Sequence, residues 1–139
     1  MSYLLDTNVV SELRKPAADV NVSRWMASIS GADLYLSVLA IGEIRRGIER
    51  LRRRDSAQAA LYEHWLSTLR RDYADRIIPI TTAIAEEWGR LNVPNPVPAI
   101  DGLMAATAKV MGFTLVARNV ADVASTGVPL LNPFEPPTP

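Results

Sequence analysis

The sequence predicts an α/β fold, one domain built on a central parallel sheet of four to five short strands. Two observations lead there. Five strand-length apolar runs recur along the chain, and helical spacing of apolar residues fills most of the intervals between them. Strands that alternate with helices pair in parallel through right-handed crossovers. The chain has 139 residues, enough for one domain with a substantial core, and residues 1–134 are assigned to it.

Tyr3-Leu4-Leu5 is the first strand, stopped at Asp6, after which Val9, Val10 and Leu13 return at helical spacing. Lys15-Pro16 breaks the pattern, and Val20, Val22, Trp25, Met26 and Ile29 mark a second helix ending near Gly31. Leu34-Tyr35-Leu36-Ser37 reads as the second strand and runs into a helix whose apolar stripe is Ile41, Ile44, Ile48 and Leu51. A helix from Ala57 to Tyr73, with Ala60, Leu61, Trp65, Leu66 and Leu69, is its expected antiparallel partner. Ile77-Ile78-Pro79-Ile80 is the third strand, and Pro79 pushes it to a sheet edge or a strand end. Thr81 or Thr82 caps a helix holding Ile84, Ala85, Trp88 and Leu91. Closely spaced prolines make Val93–Pro98 a loop. Ala99–Met111 is a nearly all-apolar helix with Gly112 placed to end it. Phe113–Ala117 is a buried strand, Arg118–Asp122 a polar turn, and Val128–Asn132 a last edge strand. Residues 135–139 are expected to be a disordered tail.

Composition narrows the chemistry. Hydrophobic residues make up 48% and charged residues 22%, as in a globular protein, and formal net charge is zero, which argues against a strongly basic nucleic-acid module. Without cysteine there is no disulfide, thiolate nucleophile or zinc–cysteine site, and the lone His64 sits on an Arg-rich helical segment. No apolar run reaches the roughly 18 residues of a membrane span, and the N-terminus lacks a basic-then-apolar targeting pattern. The expectation is a soluble, cytoplasmic protein.

Three acids stand where acids are costly: Asp6 at a strand end, Glu43 flanking a buried helix face, and Asp101 in the first turn of an apolar helix. Each has a structural explanation. Asp6 can cap the following helix, Glu43 can pair with Arg46 or Arg50, and Asp101 suits the positive end of a helix dipole. Their common placement points elsewhere. In a parallel α/β sheet, strand exits and helix entries share one edge, where ligands bind. Carboxylates and an amide gathered there suit a hard divalent ion such as Mg²⁺ or Mn²⁺.

Leu4-Leu5-Asp6-Thr7-Asn8, Ser37–Gly47, Ile100–Ala108 and Val116–Asp122 together resemble the successive motifs of PIN-domain ribonucleases, most of all the VapC/FitB-like toxins of bacterial toxin–antitoxin pairs. The close Leu131-Asn132-Pro133-Phe134 resembles that branch too. The resemblance spans essentially the whole chain. It implies a three-layer α/β/α fold and Mg²⁺- or Mn²⁺-dependent cleavage of RNA that leaves a 3′-hydroxyl and a 5′-phosphate. Position by position, it makes Asp6, Glu43 and Asp101 the acidic cluster and metal site, with Thr7 the hydroxyl that steadies the first Asp. The fourth acidic position is Asn119 here, which offers oxygen without charge and weakens a second metal site. Asp122 can reach in through a water. The resemblance also implies a homodimer and a partner antitoxin that lays a segment over a groove near the site.

The expected mechanism has Asp6 and Asp101 on the metal and Glu43 orienting or deprotonating the attacking water, activated by the ion. Arg45 and Arg118 are the candidate phosphate contacts, while Arg46, Arg50 and Arg53 are equally consistent with a solvated helix face. Two other readings stand beside this one. A catalytically silent PIN-fold binding module is kept open by Asn119. A phosphate-handling signalling or phosphatase domain would want an acid in place of Asn8 and a Lys after the late strand, where Arg118 stands.

Overall fold

A computed structural model describes residues 1–137, so Thr138 and Pro139, the end of the expected tail, lie outside the described residues. The five strands are β1 (Tyr3–Leu5), β2 (Leu34–Ser37), β3 (Ile77–Ile78), β4 (Thr114–Val116) and β5 (Leu130–Leu131). They form one sheet in the order β3-β2-β1-β4-β5, and every neighbouring pair is parallel. The helices are α1 (Thr7–Leu13), α2 (Val20–Ser28), α3 (Val38–Arg52), α4 (Ser56–Asp72), α5 (Thr82–Leu91) and α6 (Ala99–Met111).

Side-chain alternation along the strands makes three layers. Leu5, Leu34, Leu36 and Val116 point to one face, where Val9, Val10, Val22, Ile44, Ile48, Ala59 and Leu66 of α1 to α4 cover them. Leu4, Leu115 and Ala117 point to the other, packed with Met104, Ala105 and Ala108 of α6. Both faces are therefore buried, as an all-parallel sheet requires. No helix among the described residues is long and apolar enough to cross a membrane.

Local chemistry sets the helix starts. Asp19 accepts from the N–H groups of Asn21 and Val22, Ser37 Oγ from Leu39, Asp55 from Gln58, and Thr81 Oγ1 from Ile84. Gly112 ends α6 at φ 72°, a left-handed conformation that a Cβ would strain. Three expectations change in detail. The second half of the predicted polar turn, Val120 to Asp122, belongs to a 3-10 helix, Val120–Thr126, stabilised because Val123 is buried and Thr126 Oγ1 donates to the Val123 carbonyl. A shorter 3-10 helix, Gly31–Asp33, leads into β2. The strands are also shorter than the apolar runs that announce them, with β3 confined to the edge where Pro79 put it.

The order of strands reverses at the centre. From β1 the chain moves outward through β2 to β3, then crosses to the opposite side for β4 and β5. The crevice beyond the carboxyl ends of β1 and β4 is thus the topological switch point, where open α/β sheets bind their ligands.

Candidate active site

Asp6 leaves β1 at that crevice. Its backbone N–H donates to the Val116 carbonyl at 2.8 Å, and its own carbonyl accepts from Val9 and Val10 at 3.0 and 3.2 Å. The backbone therefore joins β4 to the start of α1, while the side chain makes no capping hydrogen bond. Asp101, in the first turn of α6, and Asn119, just after β4, line the same cleft of about 80 Å³ together with Asn8.

The electrostatics are unfavourable to a bare carboxylate. Burial raises the Asp6 carboxyl from 3.8 to about 6; the Thr7 and Asn8 amides restrain the rise, while Asp101 and Glu43 add to it. Asp101 is raised as well, first by burial and then by the negative charges of Asp122 and Glu43. Neither acid has an ion-pair partner among the described residues.

Glu43 stands on the far side of Thr7 and lines a neighbouring, larger groove. The Thr7 hydroxyl donates to Glu43 Oε1 at 2.5 Å, so Thr7 steadies the glutamate rather than Asp6 as expected. Arg46 approaches Glu43 Oε2 at 3.9 Å, a loose and exposed pairing. Among the described residues, no three acidic or imidazole groups are arranged as a ready-made metal cage. The donor set nevertheless fits a hard cation: two carboxylates short of positive charge, an amide oxygen, and Glu43 near enough to disfavour ionisation of both. Asn119 Nδ2 donates to Asp122 Oδ2 at 2.6 Å, which leaves the amide oxygen as its remaining acceptor and brings Asp122 to the rim.

The two candidate phosphate contacts part company. Arg45 is bound to both oxygens of Glu63 at 2.6 Å and to Glu49 at 3.2 Å, in a cluster shared with Arg52. It clamps α3 to α4, and its charge is already matched, so the expectation that it meets phosphate is replaced by this structural role. Arg118 follows β4, its guanidinium 4.6 Å from the Phe134 ring centre. Asn132 Nδ2 donates to the Arg118 carbonyl, and Asn132 Oδ1 accepts from the Phe134 N–H. The Asn-Pro-Phe close of the chain thereby holds this arginine in place.

One buried acid escaped the sequence reading. Glu12 is 7% exposed, takes Lys15 Nζ and the Asp19 N–H at 3.0 Å each, and is held below the usual range chiefly by Lys15. The signal was present, an acid three residues before Lys15 on the face shared with Val9 and Leu13.

Comparison with known protein families matches residues 3–121 to the PIN domain. The chain belongs to the PIN domain family. Toxin FitB of Neisseria gonorrhoeae is 29% identical to it over 136 residues, covering 94% of this chain and 97% of FitB. A VapC ribonuclease of Sinorhizobium fredii, Y4jK, is 30% identical, covering 96% of this PIN chain and 98% of its own. Among solved structures, FitAB bound to a DNA fragment superposes with a TM-score of 0.89 at 27% identity, covering 98% of each chain.

Proposed function

We propose that this PIN chain is a Mg²⁺- or Mn²⁺-dependent endoribonuclease, the toxin of a toxin–antitoxin pair, acting on RNA in the cytoplasm. The observation that carries the reading is the pairing of Asp6 and Asp101 in one switch-point cleft, both resisting ionisation and neither paired with a protein cation. A divalent cation is the ligand that relieves such a site. Asp6 and Asp101 would hold it, with the Asn119 oxygen beside them. When bound, the ion supplies Lewis acidity and offsets charge building on the phosphate.

The remaining chemistry belongs to the chain. Glu43, with Oε1 fixed by Thr7, has Oε2 to accept a proton from the attacking water. Water oxygen bonds to phosphorus, the bond to the 3′ oxygen breaks, and that oxygen takes a proton from solvent, since His64 is exposed on α4. The products are a 3′-hydroxyl and a 5′-phosphate. Arg118, two residues beyond β4 and held against Phe134, is the proposed phosphate contact. The proposed partners are a second copy of the chain and an antitoxin, supported by the family and by the FitAB complex among the structural neighbours.

The test is cleavage of a labelled RNA by the purified chain in chelator, then after adding Mg²⁺ or Mn²⁺. Activity only with the ion is expected. Equal cleavage in chelator would contradict metal dependence. No cleavage under any condition, with no divalent binding, would favour the silent module that Asn119 leaves open.

A further inference from the structure

We infer that the groove between α1, α3 and α4 is the track of the RNA strand leading to the site, with Arg14 and Arg54 as its phosphate contacts. This rests on the ribonuclease reading above. The groove holds about 340 Å³ and begins at Thr7, the residue after Asp6, and at Glu43, the third acid of the proposed site. Glu43 is the sole acid among the residues lining it.

Charge selects the occupant. Arg45 and Arg52 of α3 are neutralised by Glu49 and Glu63, whereas Arg14 and Arg54 have no ion-pair partner among the described residues. Both line the groove. The Arg14 guanidinium lies 4.2 Å from the Tyr62 ring centre, which fixes the reach of a long side chain. Leu51, Tyr62 and Trp65, half-buried along the groove, give it apolar and aromatic surface for sugar and base faces, and arginines beside such surface are how single strands are held without sequence preference. A peptide would need acidic side chains at two set places to match these arginines. A strand already seated at Glu43 carries a phosphate at every nucleotide.

Gly47 lines the same groove, and a Cβ added there meets nothing within 4 Å. A larger side chain at this position obstructs the track without disturbing the packed interior.

The experiment is equilibrium binding of a fluorescein-labelled single-stranded oligoribonucleotide to the full chain in chelator, across a salt series. Arg14→Ala and Arg54→Ala are each expected to weaken binding and to make the slope of log affinity against log salt shallower by about 0.7. Gly47→Leu should weaken binding with a melting temperature no lower than wild type, and Arg71→Ala, exposed at the far end of α4, should leave affinity near wild type. Unchanged affinity and slope in both arginine variants would overturn the inference. So would loss of antitoxin binding alone, which would make the groove a protein-docking site. Binding in chelator does not depend on catalysis: intact RNA binding by a chain that never cleaves would count against the ribonuclease reading and leave the track standing.

Discussion

Asp6 shows how a single side chain couples stability to chemistry. Folded, it binds its proton more tightly than the unfolded chain does, with a carboxyl raised from 3.8 to about 6. Its contribution to stability is therefore full below the unfolded value and is lost as pH rises through the folded one, at a cost on the order of 2–3 kcal/mol. Asp6→Asn should abolish cleavage and yet melt several degrees higher above about pH 6, with a flatter dependence of melting temperature on pH. Thermal melts across that range decide it; a lower melting temperature would mean that the carboxylate is already neutralised within the protein. The sequence marks Asp6 because an apolar run ends on it. It does not mark the bond from Thr7 to Glu43, since that contact depends on how α3 seats against α1, nor the engagement of Arg45 by Glu63, which depends on the register of the α3 and α4 pair.

Helix α6 carries Asp101 to the cleft, and its seat is tight. A Cβ on Gly102 would lie 2.6 Å from Val97 Cγ2 and 3.2 Å from the Trp88 ring. Gly102→Ala gains up to about 1 kcal/mol in helix propensity, but overpacking against a stiff valine and an indole costs roughly 1–3 kcal/mol, so net destabilisation is expected. Urea unfolding measures it, and activity should fall further than stability because the first turn bearing Asp101 is displaced. A variant as stable and as active as wild type would mean that Val97 yields freely. At this scale the sequence reads well wherever one periodicity dominates, as in the stripe of α3 and the strand at β2. It reads poorly at Val120–Thr126, where one buried valine and one buried threonine are too few to define a period and a 3-10 helix forms.

For the whole molecule, alternation of strands and helices predicts a parallel sheet but not the order of its strands. That order depends on which side of β1 the chain takes after β3, and the choice is made by long-range packing of α6 against Leu4 and Leu115. Once made, it creates the crevice that holds Asp6, Asp101 and Asn119. A cation binding there stabilises the folded chain by mass action. Millimolar Mg²⁺ or Mn²⁺ should raise the melting temperature of the wild-type protein and leave that of Asp101→Asn unmoved; an equal rise in both would place the ion elsewhere. The central claim, that acids distant in sequence act together on RNA, is tested most directly by cleavage rates of Asp6→Asn, Glu43→Gln and Asp101→Asn with Mg²⁺ or Mn²⁺ present. Each folded variant is expected to lose about a hundredfold or more in rate. Near wild-type cleavage by all three would contradict the account.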